Sequence, residues 1–180
     1  MTYKTSLDNL AKGITISVTV LFAVIIIGQY SIIKDAGRAV PIYTTVTLIL
    51  IYFIAFAFRP INYNLANGKL TIHRLLLDVN IDRANIKSVE LIDKDKIGWS
   101  LRTFGVGGLF GYFGYFANIK MGKMIWYATR KDRTVLLLTN DNKKIILTPD
   151  DPTKFVTDFY LQTLCRRQQD ELCSSCGLKL

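Results

Sequence analysis

The sequence predicts an α+β membrane protein, with an N-terminal two-helix transmembrane hairpin followed by a seven-stranded bent sheet or open barrel capped by one C-terminal helix. Three observations carry this expectation. Residues 13–33 and 39–58 contain no charged side chain. From Pro60 onward the apolar residues fall in short alternating bursts between turn residues. A helical apolar pattern then follows Pro149-Asp150-Asp151-Pro152. With 180 residues, 50% hydrophobic and 21% charged, the chain is too apolar to be disordered over most of its length. The uneven spread of that apolar content excludes a simple soluble protein.

The first segment, Ile14 to Ile33, would span about 30 Å as a helix, the thickness of a hydrocarbon core. Its polar residues Thr15, Ser17, Thr19, Gln29 and Ser31 lie toward the two ends, and Val20 to Ile27 is wholly apolar. The second, Ala39 to Phe58, carries Pro41 near its start, where a missing N–H costs little. Tyr43 and Tyr52 suit a headgroup interface or a lipid face. The five residues Lys34 to Arg38 join the spans as antiparallel neighbours. Two buried helices of a soluble protein would need more chain than remains to cover them. A cleavable signal is opposed by Asp8 in its basic region and by the missing small-residue cleavage site. Lys4, Lys12, Arg59, Lys69 and Arg74 flank one side of the hairpin, against Lys34 and Arg38 on the other. The excess of positive charge places both termini and the main domain in the cytoplasm, and three cysteines, an odd number, fit a reducing compartment.

Three regions follow: residues 1–59 with spans at about 13–33 and 39–58, a domain over 60–164, and a polar cysteine-containing tail over 165–180. In the domain, Ile61–Leu65 and Lys69–Arg74 flank Asn67-Gly68, a pair that takes the positive φ values of a tight hairpin. Further strands are expected at Leu76–Ile81, Ile86–Ile92, Lys123–Thr129, Thr134–Thr139 and Lys144–Thr148, the last two paired across the polar turn Asn140–Lys143. Asp151 and Pro152 then start a helix as N-cap and first residue, and its Phe155 and Phe159 plug the end of the sheet.

Two spans, seven strands and a capping helix, with Tyr63-Asn-Leu-Ala-Asn-Gly-Lys-Leu-Thr-Ile72, Gly107-Gly-Leu-Phe-Gly-Tyr-Phe-Gly114 and Thr148-Pro-Asp-Asp-Pro-Thr-Lys-Phe155, resemble the membrane-anchored bacterial pleckstrin-homology (PH)-like domain family over residues 60–164. The resemblance implies a fold and an inner-membrane setting, with no catalytic residues to carry over.

The most unusual stretch is Arg102 to Phe116, with five glycines and six aromatics in fifteen residues. One reading is a loop facing the membrane or a partner, formed by Arg102, Phe104, Leu109, Phe110, Tyr112, Phe113, Tyr115 and Phe116, with Lys120 and Lys123 near anionic headgroups. The other is an internal loop whose rings pack under the sheet. The glycines lack the following helix or Gly-Lys-Ser/Thr ending of a nucleotide loop. Fifteen basic against ten acidic residues in the domain favour a place above anionic lipid. They are scattered without a recognition helix, so no nucleic acid partner is expected. Inositide recognition is disfavoured by the short Asn67-Gly68 turn, near which only Lys69, His73 and Arg74 lie.

His73, the one histidine, reads as a satisfied strand residue. Cys165, Cys173 and Cys176 supply at most three of the four ligands of a zinc site, so the tail reads as metal-free. The functional expectation is a non-enzymatic, cofactor-free module tethered to the membrane, docking a membrane or cytoplasmic protein or resting on lipid. It is compatible with a homo-oligomer. The alternative is a subunit of a membrane enzyme or transporter complex with Thr44, Thr45 and Thr47 along a path. The lack of charge inside either span opposes that alternative.

Overall fold

The computed structural model of the chain describes residues 1–32, 39–98 and 100–175, so the connection between the two apolar helices falls outside the described residues. Strand β1 (Thr2–Lys4) is followed by the two apolar helices, α1 (Asn9–Ile32) and α2 (Ala39–Ala57). Then come β2 (Asn62–Ala66), β3 (Lys69–His73), β4 (Val79–Asp82), β5 (Ile86–Ile92) and the short α3 (Lys94–Ile97). Strands β6 (Leu101–Gly107), β7 (Tyr112–Asn118), β8 (Gly122–Ala128), β9 (Thr134–Thr139) and β10 (Lys144–Leu147) precede the last helix, α4 (Pro152–Ser175).

Helix α1 begins where Asp8 accepts a hydrogen bond from the Ala11 N–H at 2.7 Å, satisfying one of the free donors of the first turn. It lies beside α2 through a Thr19–Tyr52 hydroxyl pair at 2.8 Å and a bond from Gln29 to Thr45 at 2.8 Å. Tyr52 therefore faces α1, close to Phe22, rather than outward. Both helices are long and apolar enough to cross a membrane, and only 6% and 17% of the residues in their most apolar stretches are buried. They are not the covered core helices of a globular domain.

Both ends of this helical pair are tied into the domain. β1 pairs antiparallel with β2, Tyr3 opposite Tyr63, and the N-terminal amine donates to the Leu65 carbonyl at 2.8 Å. One sheet runs β1-β2-β3-β4 and the other β5-β9-β10-β8-β7-β6. The Asn67-Gly68 turn joins β2 and β3 with φ of 51° and 69°, as its sequence requires. Between the sheets lies a core of Tyr63, Leu70, Ile72, Val89, Leu137 and Leu147, closed by Phe155 and Phe159 of α4. Asp151 caps α4, accepting the Lys154 N–H at 3.1 Å. A second cluster, on the other face of the larger sheet, joins Tyr112, Phe116, Trp126 and Ile146 to Ala11 of α1.

Two expectations are corrected, the number of strands and the start of the strand before Ile81. The described residues hold ten strands rather than seven. The added ones are β1, too short to show alternation, and the β6–β7 pair, whose glycines disguise strand as loop. The strand expected at Leu76–Ile81 begins only at Val79. Asp78 accepts the Arg74 N–H at 2.9 Å and meets His73 at 2.8 Å, which holds Leu75–Leu77 out as a loop. Within the larger sheet β8 and β10 pair in parallel, and β9 lies on the other side of β10. The polar tail over 165–180 is helical as far as Ser175, because its Arg, Gln, Glu and Leu residues are good helix formers.

Candidate functional site

The segment Arg102–Phe116 is an antiparallel hairpin laid against the domain-proximal ends of α1 and α2. Gly105 and Gly114 face each other across β6 and β7, both with φ of 120°. A Cβ on either would strike the partner strand's backbone, at the Phe113 and Phe104 carbonyl oxygens respectively. Only glycine allows this close crossing, and its positive φ bends the ladder there. At the tip, a Cβ on Gly108 would come within 2.5 Å of Ile14 Cδ1. The Phe110 N–H donates to the Thr15 hydroxyl at 3.0 Å, while that hydroxyl donates to the Ala11 carbonyl. The Phe110 ring meets Tyr52 and Phe56 edge-on at 4.9 and 5.3 Å, and the Arg59 guanidinium lies 4.5 Å from the Phe56 ring centre. About 10 Å of helix rise separates the level of Ile51 near the tip from that of Phe58, just past the end of α2, near the base.

The β3–β4 loop meets the same end of α2. The Leu75 N–H donates to the Ala57 carbonyl at 3.2 Å, satisfying an acceptor that the helix end leaves free. Leu75, Leu76 and Leu77 are half exposed or more. Two apolar grooves flank the junction. One, of about 550 Å³, runs between Ile54, Phe58, Arg74, Phe104, Tyr115 and Tyr127. The other, of about 420 Å³, is lined by Ile14, Ile51, Arg102 and Leu109 among others.

Electrostatics at the junction are simple. Burial, with Asp8 nearby, pushes the Tyr112 hydroxyl up to about 12. Burial raises Tyr127 too, opposed by the Arg74 guanidinium. Hydrogen bonding from the Arg74 N–H, then from His73, holds Asp78 below the usual carboxylate range. These groups stay in their ordinary charge states near neutrality.

The candidate residues divide. Phe110, Tyr112, Phe113 and Phe116 are buried, while Phe104 is 75% exposed and Tyr115 55% exposed. The stretch is therefore packed in one part and open at the surface in another. Arg102 and Leu109 line the smaller groove. Lys120 and Lys123 lie beyond the far end of β7, about 20 Å of strand from the tip. They do not join the helix-proximal group, because β7 runs away from the helices before the chain turns. Cys165 and Cys173 lie on α4, about 12 Å of helix rise apart, and Cys176 is outside the described residues. Thr44 and Thr47 donate to carbonyls of their own helix, and Thr45 accepts from Gln29.

Sequence reasoning placed Phe58 only at the end or lipid face of the second span and Leu76–Leu77 only in a strand, passed over Leu75 and Tyr127, and counted Arg74 only as one positive charge among several. Three successive leucines after a basic residue break strand alternation, and that was the available signal.

Residues 61–162, more than half of the chain, match the family model described as Bacterial PH domain. No curated protein and no solved structure matches the chain.

Proposed function

The chain belongs to the bacterial PH domain family, and on that footing we propose that it is a membrane-anchored, non-enzymatic binding module. In this reading α1 and α2 cross the cytoplasmic membrane and hold the PH domain against its inner face, where an open sheet edge receives a protein partner. One observation carries it: a pair of apolar helices, almost wholly uncovered, is bound at both ends to the same domain. Leaving a large apolar side chain in water forgoes roughly 1.5–3 kcal/mol. Val20, Val24, Ile27, Val46, Ile49 and Phe53 are among more than a dozen exposed on these helices. So many apolar side chains held open on two neighbouring helices favour an apolar phase around them. The Lys and Arg excess on the domain side favours the cytoplasm.

The sheet edges favour β6 as the docking edge. The β5 edge is occupied at its centre, where the Tyr160 hydroxyl both accepts from and donates to the Val89 backbone. β1 and β4 are three and four residues long. β6 has seven residues, nearly all exposed, at the end of its sheet, which suits addition of an extended segment. A photoreactive residue replacing Leu101, which is 57% exposed, tests this in intact membranes. Crosslinks to a second protein are expected. Crosslinks confined to the chain itself would overturn the docking edge.

A further inference from the structure

We propose that the larger groove at the α2–hairpin junction binds one anionic phospholipid of the surrounding leaflet, its acyl chain against Ile54, Val106 and Phe104 and its phosphate on the Arg74 guanidinium. This deepens the membrane reading above and rests on it.

Arg74 is held ready. Its main-chain N–H is fixed by Asp78, its Nε donates to the Leu77 carbonyl at 2.5 Å, and its guanidinium lies over the Phe58 and Tyr127 rings at 5.4 and 5.6 Å. Half-buried against apolar walls, it has no carboxylate within ion-pair distance among the described residues. The nearest acid, Asp78, is engaged by the Arg74 N–H and His73. No Asp or Glu lines the groove. A planar guanidinium in such a place matches the fork of phosphate oxygens and gains most from an anion where water is scarce.

The rest of the groove selects the occupant. About 550 Å³ is the size of a ligand cavity, and its walls are overwhelmingly apolar. A free phosphate would satisfy Arg74 and leave the trough empty. The trough runs beside α2 from Phe58, near the helix end, past Ile54, one turn further into the apolar segment. With α2 in a bilayer, that path goes from headgroup level into hydrocarbon, the path of a lipid. The exposed Phe104 and Ile54 then gain an acyl neighbour.

The test uses the full chain reconstituted into phosphatidylcholine bilayers with spin-labelled phosphatidylglycerol or spin-labelled phosphatidylcholine as the probe. The proposal expects a motionally restricted lipid population with about fivefold preference for phosphatidylglycerol, the effect of one arginine at an anionic headgroup. Arg74→Gln should abolish that preference, and Arg74→Lys should keep only part of it, since the ammonium retains the charge and loses the fork and the stacking. Ile54→Trp, which fills the trough from the helix side, should remove the restricted population of both lipids while circular dichroism stays unchanged. Equal restriction of the two probes, or an unchanged preference in Arg74→Gln, overturns the proposal. Alkaline carbonate separates the failures. A chain stripped from the membrane overturns the underlying reading as well, whereas a chain that stays embedded yet shows no preference overturns this site alone.

Discussion

Two apolar regions of this molecule are similar in composition and opposite in fate. Between the sheets, Tyr63, Leu70, Ile72 and Leu147 are sealed by α4, whose Phe155 is wholly buried. Along α1, α2 and the outer side of the β6–β7 hairpin, residues as apolar as these stay open, with Phe104 75% exposed. The first region has its lid in the chain itself, since α4 presents Phe155 and Phe159 one turn apart. Among the described residues the second has none, and the hairpin tip packs beside α2. This apolar surface is left open by the described residues yet held in one geometry by Gly105, Gly114 and Phe110, and the proposed function has lipid cover it.

The comparison is tested most severely on the sealed side. Phe155→Ala should cost about 3–5 kcal/mol, since it empties the plug of a closed core, and thermal unfolding in detergent reads it directly. The same truncation at Phe104, on the open side, should cost well under 1 kcal/mol in that measurement.

Tyr63→Phe comes next, at about 1–3 kcal/mol. The buried hydroxyl donates to the Tyr127 carbonyl at 2.6 Å and accepts the Thr148 N–H at 3.1 Å, so both lose a partner. This hydroxyl also gives a pH signature. Burial pushes it from 10.0 to about 12. The folded state therefore keeps a proton that the unfolded state releases first. The stability it contributes is intact below pH 10 and is lost as pH rises through 12. That amounts to roughly 3 kcal/mol, and the decline in chemical denaturation above pH 10 should be shallower in Tyr63→Phe.

At the junction, Gly108→Leu should cost about 1–3 kcal/mol by forcing Ile14 aside. The sharper readout is weakened docking of the tip, seen as loss of a crosslink between cysteines at Leu109 and Ile51. The smallest effect belongs to Lys120→Ala and Lys123→Ala, both exposed at the distal end. They should leave stability within about 0.5 kcal/mol and lipid association unchanged. A marked drop in lipid association would show that the distal end also meets the membrane.

Most of the sealed region is legible in the sequence because it obeys short-range rules. Asn67-Gly68 dictates a turn, Asp151-Pro152 starts a helix, and short apolar runs bounded by polar turn residues mark Thr134–Thr139 and Lys144–Leu147. The open region is legible as apolar but not as structure. Glycine-rich strands read as loops, since the crossing at Gly105 and Gly114 depends on residues nine apart and shows in neither strand by itself. Leu76 and Leu77 read as strand because an apolar run does not reveal the Asp78 bonds to His73 and Arg74 that hold the loop out. Arg74 acquires meaning only when Phe58, from another element, comes beneath it. Short-range pattern can show that a surface is apolar, whereas what faces it is decided by contacts far apart in the chain.

The central claim is that lipid covers the open region, and depth measurement tests it most directly. Nitroxides placed singly at Leu109, at the hairpin tip, and at Ile119, at the distal turn, are compared in reconstituted bilayers by their access to oxygen and to a water-soluble relaxing agent. The account requires Leu109 to lie at or below the phosphate level, rich in oxygen contact and shielded from the aqueous agent, and Ile119 to behave as in water. Equal aqueous exposure at the two positions would contradict it.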